Sequence, residues 1–496
     1  MAMIPHERLR TPAADGAVLI EPSIPALLRG APLPEWVLQF RRSLRARLGL
    51  AGPVIMTGHQ CEFFHAGVFA KTIAARHLAE RVGGNPLFVH VDSDTPKSLL
   101  VSWPSVDGGR VARHTAPLPG IDPNTPIELH DRPADAEWEP VFHALAGART
   151  GVRDSLLTEY SEAWMSRRGS LAERFAAGHR ATQTAMGLAP VRDALMSQLA
   201  GTPEFGAFTA RFALDAGRAA DAYNRAQAAY RRRHRVRNPA RPVPPLETAE
   251  GRIELPFWVC RRDGDRWRHR LGIHDHGTGL TLFADEQPIE TIERAKLTRV
   301  AGEGGTIPAA GWMIRPRALT LSAFCRLILA DVFIHGIGGA KYDEVTDELF
   351  REWLGVDLPP LLCVSATLRL PIAVAAASGP PATPRDIAFN PHRALRSAPP
   401  PLVEHRAELV RESDALRAHR AARRERRRVF EAIRTVNAEI VAACRPEVEA
   451  LAAAWRESRA RRTDALIAAD REVFYALHAR EALGRMAAAI ADRMRD

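Results

Sequence analysis

The chain is poor in cysteine: five residues (Cys61, Cys260, Cys325, Cys363 and Cys444) are scattered over 496 positions and never form a CxxC pair. An odd, dispersed set excludes a disulfide framework and a structural zinc site of paired cysteines. Long apolar runs are also missing, and none approaches the length that spans a bilayer. The first ten residues hold Pro5, His6 and Glu7 and no apolar core after a basic start. That argues against a signal peptide and predicts a cytoplasmic protein with no membrane partner. Hydrophobic residues at 46% and charged residues at 25% are ordinary globular proportions, so a chain of this length is expected to form two or three domains.

The net charge of +10 comes almost wholly from arginine and is uneven. It concentrates in residues 231–242 (RRRHRVRNPARP) and 417–428 (RAHRAARRERRR). Two local patches point to local anion contacts rather than to a surface that coats nucleic acid.

The clearest architecture lies in residues 53–104. PVIMT (53–57) is a short apolar run, and Gly58 is expected to allow a sharp turn after it. Val68, Phe69, Ile73, Ala74, Leu78 and Val82 then recur at a helical period, and Gly83-Gly84-Asn85-Pro86 should stop that helix. LFVHV (87–91) reads as a buried strand ending at Asp92-Ser93-Asp94. Strand, helix and strand over this length predict a βαβ unit, a parallel sheet and a right-handed crossover.

Residues 140–234 turn helical and alanine-rich, LPFWVC (255–260) with a return near 267–273 reads as a hairpin, and DVFIH (331–335) followed by Gly336-Ile337-Gly338-Gly339 predicts a second strand–glycine loop–helix unit. Residues 371–401 hold the Pro-rich stretches of a stiff, extended linker. Two long helical patterns follow, 402–443 and 447–494, separated by Cys444-Arg445-Pro446. They predict an antiparallel coiled-coil hairpin whose arginine-rich middle opposes pairing. The expected fold class is α/β: a Rossmann-like parallel sheet core with a helical insertion and a C-terminal antiparallel coiled-coil hairpin. The expected boundaries are 1–138 for the first half of the core, 139–250 for the insertion, 251–370 for the second half, 371–401 for the linker and 402–496 for the hairpin.

Ligands bind open α/β sheets at the carboxyl ends of the strands, where loops and helix amino ends present backbone N–H groups to an anion. Thr57, Gly58 and Gln60, with Gly67 at the next helix start, are therefore expected to hold a nucleotide, and His59 and His65 to act on its phosphates. His65-Ala66-Gly67 is a His-x-Gly element of the kind found in class I synthetases and nucleotidyltransferases, with Val68 in place of the second histidine. Asp92 and Asp94 end the second strand and could hold a substrate ammonium or Mg²⁺. Gly336, Gly338 and Gly339 allow close backbone approach, and Lys341 could reach a phosphate. Arg315 in IRPRAL could clamp a carboxylate or phosphate. His269, His274 and His276 match no ligand pair on a helix, so no dedicated metal site is expected. Cys61 reads as a small buried hydrophobe rather than a nucleophile.

Three stretches resemble the cysteine-adding enzyme (putative cysteine ligase) family of bacillithiol biosynthesis. They are PVIMTGHQCEFFHAGVFAKTIAA (53–75), NPLFVHVDSD (85–94) and residues 314–368 from IRPRAL through GIGGAKYDE to SATL. His59 stands where that family has glutamine, while Gln60 agrees, and Asp94 is the best match in its acidic run. Asp343 and Glu344 are the nearest counterparts of the glutamate after its second glycine loop. The resemblance implies a Rossmann-like core, a homodimer built through the coiled coil, and ATP with Mg²⁺. The implied reaction is a ligase reaction that joins cysteine to the amino group of glucosaminyl malate. His59, His65 and Asp94 would then be catalytic, and Asp92, Arg315, Asp343 and Glu344 would contact substrate. A non-catalytic nucleotide-binding scaffold, and a nucleic-acid-associated protein using the arginine patches, are the rival expectations.

Overall fold

The computed structural model describes residues 4–24, 32–238, 243–375, 379, 382–418 and 423–495. The chain forms two compact units. The first comprises residues 1–103, 114–370 and 471–496, and the second comprises 104–113 and 371–470.

The first unit is mixed α/β, and its strands in chain order are β1 (Val18–Glu21), β2 (Val54–Gln60), β3 (Asn85–Val91), β4 (Leu100–Asp107), β5 (Arg110–Pro117) and β6 (Arg192–Leu195), the tip of the β4–β5 hairpin belonging to the second unit. Then come β7 (Thr248–Ala249), β8 (Arg252–Cys260), β9 (His269–Asp275), β10 (Gly279–Ala284), β11 (Gln287–Glu293), β12 (Met313–Pro316), β13 (Val332–His335) and β14 (Leu361–Ala366). One sheet has the order β1-β14-β13-β2-β3-β6. From β14 to β6 its strands are parallel, and β1 closes the β14 edge in the antiparallel sense. Val54, Ile55, Met56, Leu87, Phe88 and Val89 are buried, as interior parallel strands require when both faces are covered.

The helices of this unit are α1 (Glu35–Arg47), α2 (Ala66–Val82), α3 (Asp135–Ala146), α4 (Leu157–Ser166), α5 (Leu171–Ala185), α6 (Met196–Leu199), α7 (Pro203–Leu214), α8 (Ala216–His234), α9 (Arg294–Glu303), α10 (Ala318–Phe324) and α11 (Ile337–Leu354). Helix α2 makes the expected crossover between β2 and β3 and stops at Gly83, whose φ of 60° is left-handed. The second sheet is antiparallel, in the order β11-β10-β9-β8-β12, and β8 and β9 form the hairpin read from the sequence. One apolar cluster unites both sheets: Met56 and Val89 of the parallel sheet share it with Phe205, Phe208 and Phe212 of α7 and with Leu255 and Phe257 of β8.

The structure departs from the expected organisation in three places. The stretch expected as a helical insertion supplies β6, the outer strand of the parallel sheet next to β3, with Ala194 buried in the shared core. Four residues are too few to show a period-two pattern among helices. The stretch expected as an extended linker contains α12 (Pro384–Phe389) and α13 (Pro391–Ala394), both begun by proline. Proline suits a first helical position because its fixed φ is already helical and its missing N–H would have no partner there. The Thr383 side chain caps α12 in a reciprocal pair with Asp386.

The third departure concerns the expected hairpin. The second unit holds α14 (Pro400–Ala418), α15 (Arg423–Ala443) and α16 (Arg445–Ala468). Leu395, Val436, Ile440 and Cys444 form its core, with Leu402, Leu409, Val448 and Leu451 packed against them. Residues 419–422 lie outside the described residues. The second expected arm ends at Ala468, and residues 471–496 return to the first unit. There Tyr475 stacks on Phe69 at 4.4 Å, its hydroxyl lies 2.8 Å from Thr182 Oγ1, and Phe474 meets Phe63 at 4.9 Å. Burying two large aromatics draws this segment out of the helical run. Helix α17 (Arg480–Arg495) then packs against α2. Among the described residues no helix is long and apolar enough to cross a membrane.

Candidate functional site

At the carboxyl edge of the parallel sheet Ile334 of β13 lies opposite Thr57 of β2, and His59 and Gln60 lie opposite His90 and Val91 of β3. His335, the 58–60 segment and Asp92 therefore reach one edge. Two helices begin there: α2, with His65 at its N-cap, and α11, with Gly336 at its N-cap. The first-turn N–H groups of a helix have no intrahelical acceptors, and with the helix dipole they favour an anion.

The expected loops are tighter than the sequence suggests. Thr57, Gly58, His59 and Gln60 are strand, not turn, and Thr57 Oγ1 donates to the Ile334 carbonyl at 2.8 Å. Gly58 serves close packing instead of a turn, because a β-carbon on it would lie 2.5 Å from the Val89 carbonyl oxygen. Gly58→Ala should therefore push β2 and β3 apart at the edge and cost about 1–3 kcal/mol, measured by thermal unfolding. Gly67 sits in the first turn of α2, where a β-carbon would meet the Ala366 carbonyl oxygen at 2.8 Å and Arg471 Nη2 at 2.6 Å. Gly338 and Gly339 are likewise helix, not loop. Gly339 leaves room for the His335 ring, whereas a β-carbon on Gly336 or Gly338 would meet nothing within 4 Å.

Arginine dominates this chain, which has only four lysines: Lys71, Lys97, Lys296 and Lys341. Three of them belong to this edge. Lys71 projects from α2 and is buried, with Nζ donating to the Gly58 carbonyl at 2.5 Å. Lys97 lies 3.5 Å from Glu62, and Lys341 is the fifth residue of α11. Burial lowers the Lys71 amine to about 7, against the favourable influence of Cys363 and Glu62. A guanidinium cannot be tuned this way, which is a physical reason to find lysine here. Burial, and then Lys71, hold the His59 imidazole well below its ordinary range, so it is neutral at pH 7. Its Nδ1 lies 3.4 Å from Glu62, whose carboxyl burial raises and Lys97 lowers. A neutral imidazole, an amine lowered toward neutrality and an elevated carboxyl make a proton-transfer set. The sequence carried a signal for Lys71: it shares the apolar stripe of α2 with Ala74, Ala75 and Leu78.

The structure assigns the expected carboxylates and Arg315 to internal partners. Asp94 accepts from Gln60 Nε2, from Arg268 and, at 2.9 Å, from the Thr95 N–H. Asp92 is buried and accepts from the Ser197 N–H at 2.8 Å and the Ser197 hydroxyl at 2.5 Å, while burial raises its carboxyl to about 6. Arg315 donates to both Glu128 oxygens at 2.6 and 2.7 Å. Asp343 is buried beneath the start of α11, bound to Arg326 at 2.6 Å and to His335 at 3.2 Å. Although burial alone would raise the Asp343 carboxyl, Arg326 and His335 hold it far below the usual range. Glu344 faces elsewhere, toward His6, His234 and Arg233. Asp343 Oδ1 is buried without a hydrogen-bond partner, but the other carboxylate oxygens of this set are committed, and one oxygen does not make a protein cage for Mg²⁺.

No protein-family model and no curated protein matches this chain. The edge has a further cation that the sequence did not single out. Arg471, just before the aromatic return segment, donates to Ser365 Oγ at 3.3 Å, to Thr367 Oγ1 at 3.5 Å and toward His65 Nδ1 at 3.4 Å. His65 Nδ1 also accepts the Gly67 N–H at 3.0 Å, so His65 caps α2 and faces the guanidinium. The Cys61 thiol is buried and raised well above its ordinary value, first by burial and then by Asp92, as expected of a structural cysteine.

Proposed function

We propose that the first unit is a Rossmann-like nucleotide-binding core and that the chain is an ATP-dependent carbon–nitrogen ligase. It would join an amino acid, cysteine by resemblance, to an amino-sugar conjugate such as glucosaminyl malate in low-molecular-weight thiol biosynthesis. The observation that carries this reading is the gathering of three of four lysines and two helix amino ends at one carboxyl sheet edge. That is the chemistry a triphosphate needs. The amino ends of α11 and α2 would take phosphate oxygens, and Lys341 and Arg471 would neutralise charge as an acyl phosphate or adenylate forms. Mg²⁺ would arrive on the triphosphate, since Asp92 and Asp94 are committed elsewhere. Lys71 and His59, both able to be neutral at pH 7, would accept the proton that the attacking amine loses. A homodimer through the helices of the second unit belongs to the same proposal.

The scaffold reading draws on the saturation of Asp92 and Asp94, which leaves a nucleotide site with few free acids at the strand end. The nucleic-acid reading loses support at the first arginine patch, where Arg233 pairs with Glu344 and with Glu348 at 2.8 Å.

Calorimetric titration of the full chain with ATP·Mg²⁺, alone and then with cysteine, tests the proposal, with product analysis in the presence of an amino-sugar acceptor. Binding with cysteine-dependent release of ADP or AMP is the expected result. Binding without turnover would shift the reading to a scaffold. No nucleotide binding would end the proposal for this edge.

A further inference from the structure

Away from the carboxyl edge, three groups converge from distant parts of the chain. His6 lies in the N-terminal segment, His234 is the last residue of α8, and Glu344 sits in the second turn of α11. His234 Nε2 lies 3.0 Å and His6 Nε2 3.4 Å from the same carboxylate oxygen, Glu344 Oε2. All three ligand atoms fall within 4.8 Å of one another; the two imidazoles are stacked, 3.6 Å apart and 9° from parallel, so one ring must turn for both nitrogens to aim at a single ion. His6 Nε2 also lies 3.2 Å from the Lys341 carbonyl.

These spacings have a simple geometric meaning. Zinc holds imidazole nitrogen and carboxylate oxygen at about 2.0–2.2 Å in a tetrahedron, so neighbouring ligand atoms stand roughly 3.4 Å apart. The two nitrogen-to-oxygen separations, 3.0 and 3.4 Å, fall at or a little below that edge length. The second carboxylate oxygen, Oε1, pairs with Arg233, which fixes the direction in which Oε2 points. Each histidine keeps 20% of its side chain exposed, so water reaches the edge of the cluster.

We propose that His6, His234 and Glu344 form a binding site for a zinc-like divalent cation. Two imidazoles and one carboxylate suit zinc over magnesium, which prefers an all-oxygen shell. The ion would clip the N-terminal segment onto α8 and α11. The segment already has one anchor: Leu9 is fully buried in a small cluster with Ala340, Leu361 and Cys363. The clip would restrain the first turns of α11, whose N-cap is Gly336. A second histidine–aspartate cluster, His90, His179 and Asp193, provides an internal comparison. Its two histidines are only 2% and 1% exposed, so no open position faces water, and Asp193 binds His90 at 2.7 Å and Arg180 while His179 Nε2 contacts Thr72 Oγ1 at 3.2 Å.

The test strips the full-length protein with a chelator and titrates it with Zn²⁺ against a chromophoric competitor. Co²⁺ is then used to read the coordination geometry in the visible spectrum. One Zn²⁺ per chain is expected, with Co²⁺ bands of tetrahedral intensity. His6→Ala and His234→Ala should each weaken binding roughly 100-fold or more, since even outer partners of a metal are worth 10–100-fold. His90→Ala should leave binding unchanged. His6 lies outside every helix and strand, so metal-free His6→Ala should unfold at the wild-type temperature, which separates loss of a ligand from loss of the fold. Absence of zinc binding, full binding by His6→Ala, or loss of zinc only in His90→Ala would overturn the proposal.

Discussion

Lys71→Met should abolish amino-acid-dependent ATP turnover while making the folded protein more stable at neutral pH. The Lys71 amine has a folded value of about 7 against an ordinary 10.5. Below pH 7 the lysine is charged in both states, so the penalty for burying that charge is fully present. Between pH 7 and 10.5 the unfolded chain holds the extra proton, and wild-type stability rises with pH by at most about 1.4 kcal/mol per unit. Methionine of similar length removes this dependence. The lost bond to the Gly58 carbonyl costs about 1 kcal/mol, which partly offsets the gain. At pH 6 the variant should be more stable on the order of 2 kcal/mol, and near pH 10 the two proteins should converge or cross. Denaturant unfolding at several pH values reads the first effect. Turnover should fall about 100-fold or more, the usual scale for a proton-transfer group. Unchanged turnover would remove Lys71 from the proposed chemistry, and a parallel pH dependence in both proteins would show that the amine is solvated.

The largest loss of stability is expected from Arg326→Met. The Arg326 guanidinium is buried and donates to Asp343 at 2.6 Å, to Asp347 at 2.8 Å and twice to the Pro359 carbonyl at 2.9 and 2.6 Å. Removing it leaves two facing carboxylates in the interior, a loss of about 3–5 kcal/mol. For a unit of this size that corresponds to a fall in Tm of roughly 4–6 °C. The variant should recover in mild acid, where the stranded carboxyls can protonate, and Asp343→Asn in the same chain should restore part of the loss. A fall below about 1 kcal/mol would mean that water reaches the pair.

The same ion pair shows why some site residues could be read from the sequence and others misplaced. Asp343 follows a glycine-rich segment, and in a linear reading it looks available to substrate. On α11, however, it lies on the buried side with Val345, Thr346, Leu349 and Phe350, and Arg326, seventeen residues earlier, together with His335 makes that tolerable. Glu344 is its neighbour in sequence and faces an unrelated cluster, because consecutive residues on a helix point about 100° apart. Gly58 was expected to turn the chain and instead lets two parallel strands approach. A glycine's reason is set by its neighbour across the sheet, which local sequence does not name.

Local periodicity and stop signals were enough to place β2, α2 and β3, the β8–β9 hairpin and the β13–α11 unit. Each is specified by short-range pattern: apolar runs of strand length, helical spacing, and glycine where a left-handed residue ends the helix. Contacts between distant segments had no such signature. The edge strands β1 and β6 are four residues each, too short to show a period, and only pairing with β14 and β3 makes them strands. The return of residues 471–495 to the first unit, the partners of Asp92, Asp94 and Arg315, and the meeting of His6 with His234 and Glu344 all join positions remote in sequence. Such contacts form only when burial elsewhere repays the entropy of closing long loops, and that energy is distributed over the whole core.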